Sequence, residues 1–378
     1  MTHGVTHIKL GKGACAVACA LVFTLLLSTA TTAARAATRA RQQPAPAQTA
    51  EDDLERGRRL LSAGDAKGAA AALKSAAESR KTDADAWYYY GLALSRAGKQ
   101  KDARKAFEHA VASRDSARAR TGLAFTQFLL GKTRDAEREV ARALELDPRS
   151  AQAHYVLAAV HFRDGDLEGA EREAEETLGL DPDFAVAAQL SGEALLNIFG
   201  EASERAFERY PVQTDAGPEA RASAIAKREE MVAPAKARLR AAAERLQSLA
   251  DSPAAGRLKE DLSELSATLK FYGSPSREDD RPEVFRQAEV TNKAVIIAKP
   301  EPGFTDQARD NGTTGVVRLR AVLAADGRVR YIVVMKRLPD GLTEKSIEAA
   351  RRIRFTPATI GGRRVSQYVI LEYHFGIG

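Results

Sequence analysis

The sequence predicts a multidomain α+β protein. It would comprise an all-helical repeat solenoid, a further helical segment, and a small C-terminal α+β domain with a three-stranded antiparallel sheet and two helices. Three observations support this fold class. Glycines recur every 33 or 34 residues through the first half; the stretch 220–270 is rich in Ala, Glu, Arg and Leu with helical periodicity; and apolar and polar residues alternate in short runs after residue 284.

The first 36 residues have the features of an export signal. Two lysines precede the apolar run 14–27, and the small residues of Ala34-Arg35-Ala36 follow it. The favoured interpretation is a signal peptide cleaved after Ala36. The alternative is an uncleaved membrane anchor, because residues 13–34 carry no charge over a length that can span a bilayer. Both place the rest of the chain outside the cytoplasm.

Cysteine and charge usage exclude several classes of site. Both cysteines, Cys15 and Cys19, fall inside the apolar run, so the folded part has no disulfide or cysteine metal site, and no cofactor is expected. Residues 284–378 are basic, with 16 Lys and Arg against 9 Asp and Glu. Those arginines are spaced along alternating strands instead of clustering with exposed aromatic residues, which argues against nucleic-acid binding.

A repeat of about 34 residues fills the first half of the chain. The repeated positions are the glycines Gly64, Gly98, Gly131 and Gly165 and the alanines Ala69, Ala103, Ala136 and Ala170. In the second unit, Trp87, Tyr90-Gly91, Leu94, Ala103, Phe107 and Ala110 stand at packing positions of the tetratricopeptide (TPR) repeat, which this half resembles. Units are predicted at 50–83, 84–116, 117–150 and 151–184, with a capping helix from Phe184 to Ile198.

Projected onto the TPR pattern, the first helix of each unit lines a concave, partner-binding groove. The predicted groove residues are Tyr88, Leu92, Arg96, Phe125, Phe128, Tyr155 and Phe162. The alternative is that some of these rings form the core between units. His154 and His161 fall at aromatic packing positions, so they are predicted to be core histidines and not a metal pair.

The domain organisation follows from these patterns and from breaks in composition. The predicted segments are 1–36 (signal peptide or anchor), 37–49 (linker), 50–200 (TPR repeat domain), 201–272 (helical hairpin or spacer), 273–283 (linker) and 284–378 (C-terminal domain). In 201–272, two leucine stripes flank Asp251-Ser252-Pro253, a helix stop followed by a cap and a first-turn proline. Two antiparallel helices fit this pattern, and an extended spacer is the alternative.

The C-terminal segment alternates as half-buried strands do. Runs at 316–322 and 329–334 flank an Asp326-Gly327 turn, which predicts a hairpin. Helices are expected at 305–310 and 342–353, and the segment 288–297 is a candidate leading strand. In the last strand, 365–375, the alternation points Val369, Leu371, Tyr373 and Phe375 inward and Tyr368, Ile370, Glu372 and His374 outward.

Residues 290–376 contain three landmarks: the segment from Lys299 to Phe304, the order of strands and helices, and Arg354-Phe355-Thr356-Pro357-Ala358. With these landmarks the segment resembles the C-terminal domain of the TonB family, the periplasmic proteins that bind outer-membrane transporters. The resemblance implies that an extended transporter segment adds to the edge of the last strand. Carried onto this chain, the partner-binding edge is Tyr368, Ile370, Glu372 and His374, with a flanking contact from Lys299, Pro300, Glu301, Pro302 and Phe304.

The resemblance therefore implies a periplasmic protein that contributes to transmembrane transport, with TPR repeats as a second protein-binding module. Energy coupling is in doubt, because residues 13–34 lack the histidine of energy transducers and repeats replace the Pro-rich spacer. The alternative function is an exported TPR scaffold whose last strand is a covered edge or a homodimer seam. No catalytic set, metal spacing or phosphate loop is present in the sequence, so no enzyme activity is expected.

Overall fold

The computed structural model describes residues 46–210, 217–274, 284–285, 287 and 290–376. The predicted signal or anchor at 1–36, and most of the predicted linkers 37–49 and 273–283, lie outside the described residues. The chain divides into two compact units between Leu190 and Ser191.

The first unit consists of helix pairs with the predicted period. Its helices are α1 Pro46–Ser62, α2 Ala66–Ser79, α3 Ala84–Arg96, α4 Gln100–Ser113, α5 Ala117–Leu129, α6 Thr133–Leu146, α7 Ala151–Asp164 and α8 Leu167–Leu180. The repeated glycines form the turns within the pairs at φ between 77 and 86°, a left-handed conformation that glycine adopts without a Cβ penalty. The four repeated alanines are fully buried, which lets paired helices approach closely.

Helix α9 spans Ala185–Arg209 and is longer than the predicted capping helix. At its start, the Phe184 ring packs on Tyr155 of α7 with centroids 5.3 Å apart. Its part from Ser191 onward, about five turns, belongs to the second compact unit.

After α9, the second unit contains the helices of the predicted hairpin. Helix α10 runs from Pro218 to Ala250, a short 3₁₀ turn covers Pro253–Leu258, and α11 covers Lys259–Gly273. The Ser252 hydroxyl accepts the Ala254 N–H at 3.2 Å, so the predicted cap starts the 3₁₀ turn and not α11 itself. The leucine stripes of α10 and α11 pack against each other with exposures of at most 1% for Leu239, Leu246, Leu262 and Leu269. The hairpin is folded back on itself, so it is not an extended spacer.

The strands follow in the order β1 Val284–Phe285, β2 Val295–Ala298, β3 Gly315–Leu323, β4 Val329–Lys336, β5 Arg354–Thr356, β6 Ala358–Ile360 and β7 Arg363–Phe375, with helices α12 Asp306–Asp310 and α13 Leu342–Arg351. The predicted three-stranded antiparallel core is confirmed as β7-β3-β4. Two short strands extend it, β1 parallel to β7 and β6 antiparallel to β7. The candidate leading strand 288–297 forms at its C-terminal end as β2, which pairs with β5 in a separate two-stranded sheet.

One face of the main sheet packs on α12 and α13 around Leu319, Leu371, Tyr373, Leu342 and Ala349. Their side chains are nearly all excluded from solvent, as the alternation of β3 and β7 predicts.

The opposite face of the sheet is covered by helices of the same unit. The Tyr272 hydroxyl of α11 donates to the Tyr331 carbonyl at 2.6 Å, and the Phe271 ring stacks on Tyr331 at 4.3 Å. Tyr331 adopts φ 51°, an unfavourable conformation for a residue with a Cβ. It lies in β4 where the pairing register shifts, and this local bend turns its ring toward α11.

Candidate partner-binding site

The outer edge of β7 is the candidate site. Strand β3 pairs with β7 along one side from Gln367 to Phe375. On the other side, β1 pairs only with Ser366 and Gln367, and the pairing with β6 extends only from Arg363 to Val365. Within the described residues, no strand pairs with this second side between Val369 and Phe375, so a row of backbone groups is left without a strand partner.

One contact identifies which backbone groups face outward. The Lys299 ammonium group, which approaches from outside the sheet, donates to the Glu372 carbonyl at 2.5 Å. In an antiparallel ladder the N–H and C=O of one residue point to the same side, and the side alternates along the strand. Ile370, Glu372 and His374 therefore direct their main-chain groups to the outer edge, while their neighbours bond to β3.

The side chains of the predicted edge differ in accessibility. Ile370 is 48% exposed and His374 is exposed. Glu372 is half-buried because it pairs with Arg318, with 2.8 Å between Oε1 and Nε. Tyr368 is also half-buried: its ring lies 5.9 Å from that of Phe271 and 4.8 Å from the Arg320 guanidinium. Helix α11 packs beside Tyr368, and the role of Tyr368 in partner binding stays a prediction.

A groove with a volume of about 900 Å³ lies beside the first part of this edge. Its strand-domain side is formed by Gln287, Lys293, Ala294, Val295, Ile296, Arg320, Leu323, Gln367, Tyr368, Val369 and Ile370. Its helical side is formed by Phe199, Ser203, Ala206, Ile225, Arg228, Glu229, Val232, Lys236, Phe271 and Tyr272. The Ala294 N–H donates to the Gln367 side chain at 2.9 Å, which fixes the segment before β2 next to β7.

Strand β2 contributes apolar residues that were not among the predicted site residues. Val295 and Ile297 are 60% and 67% exposed, and Ile296 is 37% exposed. Large apolar side chains exposed together, here close to Ile370 across the groove, are typical of an interaction surface. The sequence shows this run of three β-branched residues, but such a run is as typical of a buried strand as of an exposed binding surface.

The predicted flanking segment 299–304 lies against the end of β7. The Lys299 ammonium group also lies 4.5 Å from the centroid of the Tyr373 ring. Phe304 makes an edge-to-face contact with Phe375 at 5.5 Å and packs on the core, so it anchors the segment instead of standing open. Burial, together with the charge of Glu301, raises the pKa of the Tyr373 hydroxyl to about 12.

Lys299 occupies the Glu372 carbonyl, an acceptor that an added strand would use. Charged residues at strand edges are known to oppose unwanted strand pairing. In a Lys299→Met variant the methylene stem remains while the donor is lost. We expect stronger pairing at this edge, by about 1 kcal/mol or roughly five-fold in affinity. Sedimentation velocity over a range of protein concentrations measures this effect. We expect the variant to self-associate at concentrations at which the parent protein does not. Identical behaviour of the two proteins would mean that Lys299 does not protect the edge.

The predicted TPR groove residues are mostly core. Tyr88, Leu92, Phe125, Phe128 and Tyr155 are between 3% and 7% exposed, so the alternative of packing between units describes them, and only Phe162 and Arg96 are half-buried. Small alanines on the facing helices leave room that these large side chains fill.

Arg96 has a structural contact that the groove prediction did not foresee. Its Nη1 donates to the Leu61 carbonyl at the end of α1, at 3.1 Å. Arg163 donates in the same way to the Phe128 carbonyl, also 35 residues earlier. Both carbonyls also accept the N–H of the turn glycine, Gly64 and Gly131 respectively, so each arginine adds a second donor at the end of a helix of the preceding repeat.

The histidine prediction is also corrected. His154 and His161 are partly exposed and pair with carboxylates, with Nδ1 2.8 Å from Glu173 and 2.9 Å from Asp166, respectively. Across the described ranges, no group of three His, Cys, Asp or Glu residues is arranged to hold a metal ion. None of the helices in that part of the chain has the length and hydropathy to cross a membrane.

Comparison with protein families decides the nature of both parts. Residues 300–377 match the family model described as the Gram-negative bacterial TonB protein C-terminal, and residues 54–124 and 128–183 match the tetratricopeptide repeat. The chain joins TPR repeats to a TonB C-terminal domain. Both types of domain support a role in protein interaction. No curated protein matches the chain.

Among solved structures, several proteins are similar to about half of the chain. MamA from Desulfovibrio magneticus is 21% identical, with 48% of this chain and 94% of that chain covered and a TM-score of 0.34. YrrB, a TPR protein with an unusual peptide-binding site, is 18% identical, with 50% and 92% covered and a TM-score of 0.33. PilF from Pseudomonas aeruginosa is 15% identical, with 59% and 90% covered and a TM-score of 0.37. TM-scores this low support no inference about function.

Proposed function

We propose that the chain is a periplasmic binding protein whose TonB C-terminal domain accepts an extended segment of an outer-membrane transporter as an added strand. The added strand would pair with β7 between Val369 and His374. The protein then acts by binding, without catalysis, and contributes to transport by holding the transporter.

The observation that carries this proposal is the outer side of β7, where no described strand pairs beyond Gln367 while β3 occupies the whole inner side. Strand addition needs such a row of outward N–H and C=O groups, and main-chain bonds supply most of its affinity. Exposed Ile370 and the groove beside it provide room for the incoming backbone and its side chains.

Hydrogen–deuterium exchange on the full chain tests the proposal. The probe is a synthetic peptide of the N-terminal segment of an outer-membrane transporter, and a scrambled peptide is the control. We expect slower exchange at the amides of Ile370, Glu372 and His374 when the probe is present, because outward amides become hydrogen-bonded.

Two results would contradict the proposal. Unchanged exchange in β7, with protection confined to helices α1 to α8, would favour the alternative function of a TPR scaffold. Protection of β7 that rises with protein concentration in the absence of peptide would identify the edge as a homodimer seam.

A further inference from the structure

The charged residues of the groove beside β7 are mostly held by partners within the second unit. In the described lining they are Arg228, Glu229, Lys236, Lys293 and Arg320. Lys236 pairs with Glu229, and Arg228 donates from Nε to the Tyr210 carbonyl at 2.8 Å. Arg320 lies over two tyrosine rings, and Lys293 is exposed. A charged ligand group would have to replace existing partners, and such an exchange contributes little net free energy.

The uncharged lining of the groove is largely apolar and comes from both sides. The helical side contributes Phe199, Ile225, Val232 and Phe271, and the strand-domain side contributes Val295 and Ile370. Val295 and Ile370 are 60% and 48% exposed, and Ile225 is half-buried. Removing this accessible apolar surface from water is favourable, so the groove fits apolar side chains better than charged ones.

The strand-domain side of the groove contains a gap between β2 and β7. The Ala294 N–H donates to the Gln367 side chain, and the Lys299 side chain donates to the Glu372 carbonyl. Both contacts join residues 73 positions apart, so the two segments run alongside each other in the same direction. Each contact is made through a side chain, and no ladder joins β2 to β7 in the described sheets. A strand added beside Ile370 would therefore enter this gap.

The helical side of the groove lies outside both family matches. Those matches cover residues 54–124, 128–183 and 300–377. Helices α9, α10 and α11 fall between the second and the third of these ranges. This side of the groove is thus a feature of the present chain that neither family model describes.

We propose that the groove receives side chains of the strand that adds to β7 and selects a segment with large aliphatic residues at alternate positions. This inference rests on the proposed strand addition and specifies its partner. Side chains on one face of a strand are about 7 Å apart. A groove of about 900 Å³ has room for two of them, between Ile370 and Val295 on one side and Ile225 and Phe271 on the other.

Fluorescence anisotropy with the full chain tests this selection. The probes are three labelled ten-residue peptides in which threonine alternates with leucine, asparagine or glutamate. Leucine and asparagine have similar shapes and differ mainly in polarity. We expect the leucine peptide to bind roughly ten-fold more tightly than the asparagine peptide, because two apolar side chains become partly buried. The glutamate peptide should bind like the asparagine peptide, within roughly two-fold.

Variants locate the effect on the two sides of the groove. Ile225→Asn, on the helical side, and Val295→Asn, on the strand-domain side, should each weaken the leucine peptide roughly five-fold and leave the asparagine peptide unchanged. Ile225→Leu retains an apolar side chain and should bind like the parent. The matched control is Met231→Asn, an exposed apolar residue of α10 outside the groove lining, which should have no effect. Circular dichroism should show all four variants folded.

The outcomes separate this inference from the proposed function. Equal affinity for the leucine and asparagine peptides, together with loss of binding in Ile370→Pro, would overturn apolar selection and leave strand addition intact. A leucine preference that survives Ile370→Pro would overturn both, because the peptide would then bind away from the edge. An effect of Val295→Asn without one of Ile225→Asn would exclude the helices from recognition. Tightest binding of the glutamate peptide would mean that charge, and not apolar contact, decides.

Discussion

The Ile370→Pro variant is expected to lose binding of the transporter peptide by at least about ten-fold. The Ile370 N–H points to the outer edge, as inferred from the Glu372 carbonyl that accepts from Lys299. Proline removes this donor and its ring obstructs the approach of a partner strand. A lost hydrogen bond with an unsatisfied carbonyl on the partner costs about 1–3 kcal/mol, which is consistent with this decrease. Isothermal titration calorimetry on the full chain measures it.

The matched control is Ile370→Ala, which retains the N–H and removes most of the side chain. It should weaken binding less than the proline variant, because only apolar contact is lost. The β3–β7 ladder does not use the Ile370 N–H, so circular dichroism should show both variants folded. Equal affinity of the proline variant and the parent would mean that β7 does not receive a partner strand.

Gly200→Ala is expected to lower the free energy of unfolding of the second unit by about 3 kcal/mol. This value is at the upper end of the usual cost of overpacking a core, because the backbone must be displaced. Gly200 lies on α9 against β4, and a Cβ there would be 2.0 Å from the Val334 carbonyl oxygen and 2.9 Å from Val333 Cγ1. The clash is with backbone, so it cannot be relieved by rotating a side chain. The helix must move away from the sheet.

Urea unfolding can assign the effect to one unit. The single tryptophan, Trp87, belongs to the TPR repeats and reports their unfolding by fluorescence. Hydrogen exchange of β4 reports the second unit. We expect faster exchange in β4 while the Trp87 transition stays in place.

Gly179→Ala is the control for this prediction. Gly179 is also helical, but a Cβ there would meet no atom within 4 Å. Alanine at an open helical site is expected to be neutral or to stabilise by up to about 1 kcal/mol. If Gly200→Ala behaved like Gly179→Ala, α9 would not pack tightly on β4, and the helical side of the groove would lose its support.

Local patterns in the sequence were enough to predict several features. The glycine and alanine period predicted the helix pairs of the TPR domain, because a left-handed turn and a close helix contact each require a small residue at a fixed position. The alternation in β7 predicted the buried positions of Leu371 and Tyr373, since strand residues alternate between faces. The Asp326-Gly327 turn predicted the β3–β4 hairpin.

The tertiary structure decided which of these surfaces remain open. From the sequence, Phe125 and Tyr155 could line a groove or fill a core, because either role places a large ring on the same helix face. The packing of the neighbouring helices decides between the two roles. The same holds for Tyr368, which is half-buried beside Phe271, a residue almost a hundred positions earlier in the chain. The contact of Lys299 with Glu372 joins residues 73 positions apart. Such contacts depend on how separate elements pack against each other, so they cannot be predicted from the residue pattern within one element.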